Sequence, residues 1–183
     1  MAILKVAHLG HPVLRQQAAK VDPAVLARDD MQRFLDDMVE TMREYDGIGL
    51  AAPQVHAAQQ IACIDGGLLD DEPDVPAVAR QLFLLVNPVV RPVKERRFLM
   101  WEGCLSVPGF RGKVPRLREL AVEALDRHGQ PLRFTAKGYF ARVVQHEVDH
   151  LDGILFIDRM DKATKAELRP ELEQLMAETK AAL

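Results

Sequence analysis

The sequence has few cysteines, no long hydrophobic run and little surplus charge of either sign. Two cysteines in 183 residues, Cys63 and Cys104, are too few for a disulfide framework. In a reducing compartment both stay thiols, and each needs its own reason for being there. No stretch approaches the roughly 18 uninterrupted apolar residues of a membrane-spanning helix. The amino-terminal run MAILKVAHLGHPVLR lacks an apolar core followed by a small-residue cleavage site, so a cytoplasmic protein with no membrane partner is expected. With 24 Lys and Arg against 27 Asp and Glu, the formal charge of -3 excludes the whole-molecule positive field of a general nucleic-acid binder.

What is present is a chain long enough to bury a core without covalent staples, and it carries no internal repeat, linker or low-complexity tract. Residues 1–183 are therefore expected to form a single domain. Between Asp29 and Tyr45, Met31, Phe34, Leu35, Met38, Val39 and Met42 recur at spacings of three and four, which predicts an amphipathic helix. Asp29 or Asp30 is expected to cap its start, and Gly47 to end it. Gln60 to Ile64, Leu82 to Val90, Leu120 to Leu125 and Leu132 to Thr135 read as strands. The turn residues Asp126 to Gly129 join the last two as a hairpin, and the acidic stretch Asp65 to Asp74 reads as a solvated loop. A second helix starts at Gly138 with the stripe Phe140, Val144, Val148, Leu151, and a third runs from about 163 to 183. Strands followed by long helices point to an α+β fold, with mostly antiparallel strands around the second helix.

That second helix carries the sharpest chemical signal, His146-Glu147-Val148-Asp149-His150. Side chains four apart share a helical face, so both imidazoles reach one ion. Glu147 is rotated about 100° from His146, beside the ion rather than on it, where a general base for a metal-bound water belongs. A hydrolytic metal site needs a third protein donor. Glu167 or Glu171 on the terminal helix would complete a metallopeptidase. Upstream, Cys104 lies in Trp101-Glu102-Gly103-Cys104-Leu105-Ser106, and a thiol outside any disulfide is the other candidate; by itself it packs as readily as a small hydrophobe. Cys63, inside an apolar strand, reads as packing. Gln54 is the single amide of the run Gly47-Ile48-Gly49-Leu50-Ala51-Ala52-Pro53-Gln54-Val55, and on that run alone a loop-bridging role suits it best.

Taken together, GIGLAAPQV, EGCLSVPG and QHEVDHLDG, in this order and preceded by the His-Pro-x-Leu-Arg run from His11 to Arg15, resemble the signature segments of the peptide deformylases. These are metal hydrolases of protein biosynthesis that remove the formyl group from the initiator methionine co-translationally. The resemblance covers about residues 4 to 160. It implies Cys104, His146 and His150 as metal ligands, Glu147 as acid/base, and Gln54 with the Leu105 N–H as donors to the formyl oxygen. It further implies Ile48, Gly49 and Gly103 as backbone partners of an extended substrate, Val143 as a wall of the methionine pocket and Arg111 near the second substrate residue. Fe(II) is the implied ion, with Zn, Ni or Co as substitutes, and formyl-Met nascent peptides near the ribosomal exit are the implied partners. A metallopeptidase, or an inactive paralogue that only binds formylated peptides, is the alternative.

Three departures from the family pattern stand out. His56 and Trp101 replace residues usual at the pocket rim. The segment from Lys162 to Leu183, which is basic in many members, balances four basic residues against four acidic ones. Arg91 to Arg118 instead holds eight basic and two acidic residues, a balance of +6 that offers another contact surface.

Overall fold

The computed structural model describes residues 2–69 and 80–183. Helix α1 spans Asp29–Glu44 and buries Leu35, Met38, Val39 and Met42, the stripe its sequence predicts. Its ends differ from expectation. The cap position is Arg28, with no side-chain cap bond, while Asp29 and Asp30 lie inside the first turn, where their charge still favours the helix dipole. At the other end Asp46, not Gly47, takes the left-handed conformation (φ 53°). The N–H groups of Asp46 and Gly47 then close onto the carbonyls of Arg43 and Met42, satisfying the last turn.

Seven strands follow among the described residues, β1 (Gly49–Ala51), β2 (Ile61–Asp65), β3 (Leu82–Pro92), β4 (Arg97–Gly103), β5 (Arg111–Leu117), β6 (Glu119–Leu125) and β7 (Pro131–Lys137). Five form an antiparallel sheet in the order β1-β2-β3-β6-β7, and β4 and β5 form a separate antiparallel ribbon. The hairpin β6–β7 turns at Asp126, whose carboxylate accepts from the His128 and Gln130 N–H groups. The predicted acidic loop begins after β2 as a short turn over Gly66–Leu69, and its residues 70–74 lie outside the described residues.

Helix α2 (Gly138–Leu151) is buried almost all round, and α3 (Phe156–Arg159) and α4 (Lys162–Ala181) complete the chain. The apolar stripe of α2 packs Phe140 and Val144 against Ile64, Leu85 and Val122 of the sheet. Phe140 lies 5.9 Å from Phe83 and 5.8 Å from Phe134, ring centre to ring centre. Its other side faces the ribbon. No helix among the described residues is long and apolar enough to cross a membrane.

The strands β4 and β5 are not predicted from the sequence. Glu102 and Arg116, on the ribbon's inner face, are almost wholly buried (6 % and 2 % exposed). A charged inner face erases the apolar alternation by which a strand is read. The same fact revises the basic stretch: Arg116 is interior, and Arg91 and Lys94 pair with Glu123 and Glu119. Much of the +6 is therefore answered within the fold.

Candidate metal centre

Two elements bring the candidate donors together. The ribbon ends at Gly103, which places Cys104 at the lip of a cleft of ≈ 830 Å³, and α2 presents His146 and His150 across from it. The thiol and the two imidazoles have ligand atoms within 4.8 Å of one another. Cys104 Sγ is 3.3 Å from His150 Nε2. Among the described residues no other group of three such donors forms, and Glu167 and Glu171 are exposed on α4, outside it. A thiolate with two imidazoles is a borderline-soft set suited to Fe, Co, Ni or Zn.

One donor, His146, is oriented from behind. His146 Nδ1 lies 3.0 Å from Glu102 Oε2, which leaves its Nε2 for the site. Arg116 grips both oxygens of Glu102, at 2.9 and 3.0 Å, and Arg142 bonds Glu102 and the carbonyls of Val114 and Phe98. Arg116 also reaches Asp149, which pairs in turn with Arg159 of α3. Burial alone would raise the Glu102 pKa, but the hydrogen bonds from His146 and Arg116, and their charges, hold it down at about 2. Burial likewise opposes charge on His146, yet its bonds to Cys104 and Glu102 outweigh it and raise its pKa well above the ordinary imidazole value. His150 is pushed the other way, well below that value, by burial and then by the His146 charge.

Glu147 stands apart from this ion-pair network. It is 3 % exposed, and among the described residues its Oε2 has no hydrogen-bond partner. Burial, opposed by His146, pushes its pKa up to about 7, the range in which a carboxyl both takes and gives a proton. The carboxylate fits because residue 49 is glycine. A Cβ on Gly49 would lie 2.4 Å from Glu147 Oε1 and 2.7 Å from its carboxyl carbon.

Gln54, almost fully buried, does two things at once. Its Oε1 accepts the Ala51 N–H at 2.9 Å, the loop-bridging role expected of it. That bond fixes the amide the other way round, so Nε2 faces Ser106 Oγ (3.2 Å) and Cys104 Sγ (3.4 Å). Ile48, Gly49, Gly103, Leu105, Arg111 and Val143 all line the same cleft, while His150 is buried behind it. Cys63 is fully buried, and desolvation raises its thiol pKa, as a packing residue requires.

The residues that sequence reading missed are Glu102, Arg116, Arg142 and Asp149. One signal was present. Arg142, His146 and Asp149 recur at four and three residues along α2, a polar stripe that has to find buried counter-charges if the helix is central.

An α+β fold in which a thiol and the two imidazoles of an HExxH helix converge beside a buried carboxyl has the donor types of a metal hydrolase. Comparison with known proteins narrows this. The family described as polypeptide deformylase matches residues 3–166. A peptide deformylase of Fusobacterium nucleatum is 39% identical over 179 residues, 97% of this chain and 95% of that protein. Peptide deformylase 1 of Bordetella pertussis is 43% identical over 164 residues, covering 90% and 89%. The crystal structure of a class I type b peptide deformylase from Acinetobacter baumannii superposes with a TM-score of 0.78 at 36% identity, over 87% of this chain and all of that one. The chain belongs to the polypeptide deformylase family, hydrolases that take the N-formyl group from nascent polypeptides.

Proposed function

We propose that this chain, acting as one catalytic unit over residues 1–183, releases formate from the formyl-methionine end of newly made proteins in the cytoplasm, with a divalent cation held by Cys104, His146 and His150. The observation that carries this is the convergence of those three donors beside a buried carboxyl with an unpartnered oxygen. The ion we infer is Fe(II), one per chain; the donor set also admits Zn, Ni or Co. When bound, the ion supplies Lewis acidity, polarising a carbonyl and lowering the pKa of water.

The remaining work falls to the chain's own groups. Glu147 takes a proton from the attacking water and returns it to the departing amine, for which a pKa of about 7 suits it. Gln54 Nε2 and the Leu105 N–H donate to the oxyanion as it forms, and losing one such donor typically costs about 3 kcal/mol of transition-state stabilisation. Ile48, Gly49 and Gly103 pair with the substrate backbone as an added strand, Val143 walls the apolar methionine pocket, and Arg111 stands near the second residue. The substrate emerges at the ribosomal exit. The charge-neutral α4 is not assigned to docking there.

The test is formate release from formyl-Met-Ala-Ser by anaerobically purified protein with metal analysis. Glu147→Gln is expected to cut turnover by about 10²- to 10⁴-fold with the metal retained. Cys104→Ser is expected to lose the metal as well. Cleavage of internal peptide bonds without formate, or unchanged formate release in Glu147→Gln, would overturn the reading.

A further inference from the structure

The ribbon β4–β5 has a second face, of which the chemistry above uses only Gly103 and Arg111. Side chains alternate along a strand, and directly opposed residues of an antiparallel pair point the same way. Glu102 and Met100, opposite Gly112 and Val114, share the face that carries Arg116, where Glu102 is buried and Met100 stays 40 % exposed. Leu99, Trp101 and Gly103, opposite Pro115, Lys113 and Arg111, turn outward. On that outer face Leu99 and Trp101 are 52 % and 51 % exposed, large apolar groups held in water. Lys113 Nζ sits 5.4 Å from the Trp101 ring centre. A recess of ≈ 460 Å³ is lined by Leu99, Met100, Trp101, Arg111, Lys113 and Tyr139, and it shares Trp101, Arg111 and Tyr139 with the lining of the metal cleft.

We propose that this outer face is an extension of the substrate site that selects the nascent chain by its residues beyond the second, favouring a large apolar side chain over Trp101 and Leu99 with a carboxylate toward Arg111 and Lys113. The inference rests on the deformylase reading and on Gly103 as a backbone partner of the substrate. With the formyl end at the metal donors, the rest of the peptide leads outward past Gly103. Trp101 is two residues further along β4, about 7 Å, and Leu99 about 13 Å. An extended substrate advances at the same rise, so roughly its third to fifth residues lie over this face. The occupant is the substrate itself, because the recess is continuous with the cleft and its two exposed cations complement acidic side chains. An aromatic substrate side chain gains stacking area on Trp101, while a basic one meets Arg111 and Lys113 and is disfavoured.

The experiment measures formate release from formyl-Met-Ala, formyl-Met-Ala-Phe-Glu-Ala and formyl-Met-Ala-Ala-Lys-Ala, reading kcat/KM of each pentapeptide relative to the dipeptide in the same preparation. In the unaltered protein the Phe-Glu peptide is expected to exceed the Ala-Lys peptide about tenfold. Trp101→Ala should remove about fivefold of that preference and Trp101→Phe should restore most of it. Lys113→Glu should turn the acidic preference toward the basic peptide by about two- to threefold, an effect that shrinks with added salt. The same pentapeptide ratio in Trp101→Ala as in the unaltered protein would overturn the proposal while leaving the deformylase reading intact. Absence of formate from the dipeptide would remove that reading itself. Sedimentation provides the competing outcome: a dimer that dissociates on Trp101→Ala, with peptide selectivity unmoved, would assign the face to a second copy of the chain and overturn the proposal.

Discussion

The two long sides of α2 solve the same problem, burial, by opposite means. Toward the five-stranded sheet the helix presents Phe140 and Val144 to an apolar cluster with Phe83 and Phe134 packed about it. Toward the ribbon it presents Arg142, His146 and Asp149 to Glu102 and Arg116. Apolar contact is non-directional and stabilises in proportion to area removed from water. A buried ion-pair network adds little net stability, because desolvating each charge offsets most of the attraction. It does fix direction: Glu102 bonds Arg116, Arg142 and His146, and the last is the ring of a candidate metal donor. The sheet side makes the helix stay, and the ribbon side determines where the His146 imidazole points.

The largest effect that tests this contrast is Glu102→Ala. It leaves Arg142 buried without a carboxylate and Arg116 with Asp149 alone, which should cost about 3–5 kcal/mol in urea denaturation. It also frees the His146 ring, so metal affinity measured by competition with a chelator should fall by about 10- to 100-fold. Phe140→Ala on the opposite side should cost somewhat less, about 3 kcal/mol by the same denaturation, for the lost ring and the cavity left behind. Its metal affinity should stay within a factor of two or so of the parent. If the two variants lost metal affinity equally, the two sides of the helix would not be separable and the division of labour would be wrong.

The same contrast explains what could be read from the sequence. α1, the hairpin β6–β7 and the apolar stripe of α2 follow apolar periodicity because they pack by apolar contact. The ribbon breaks that rule, since its inner face carries Glu102 and Arg116 and its outer face carries Leu99 and Trp101, so no alternation of apolar and polar residues marks either strand. Cys104, His146 and His150, which the fold brings together, could be picked out as candidate donors because metal chemistry restricts donor types and spacing. Glu102 could not be read in this way, because a residue that orients a ligand is defined by what it touches across 44 positions of chain. Gln54 shows an intermediate case: the loop-bridging role belongs to its oxygen and the site-facing role to its nitrogen, and only the bond to Ala51 tells them apart.

A half-buried carboxylate gives the smallest effect and sharpens the contrast from outside α2. Asp161 caps α4, accepting from the Ala163 and Thr164 N–H groups at 3.1 Å and from Thr164 Oγ1 at 2.6 Å, while its own N–H bonds the Lys113 carbonyl of β5. The Thr164 hydroxyl bond, followed by the Thr164 N–H, lowers its pKa below the ordinary 3.8. A carboxyl whose folded pKa is depressed stabilises the fold above its unfolded value, and that contribution disappears as pH falls through the folded one. Amide exchange at Ala163, Thr164 and Lys165, corrected for intrinsic rates, should therefore accelerate between about pH 5 and about pH 3. Asp161→Asn keeps a capping oxygen without the titration, so it should hold these amides protected and flatten their pH dependence. The Phe140 and Val144 amides, on the side held by apolar contact, should show no such acceleration. If they accelerate together with the cap, acid is opening the whole core rather than one carboxylate-held end, and the separation between apolar and ionic anchoring fails at that pH.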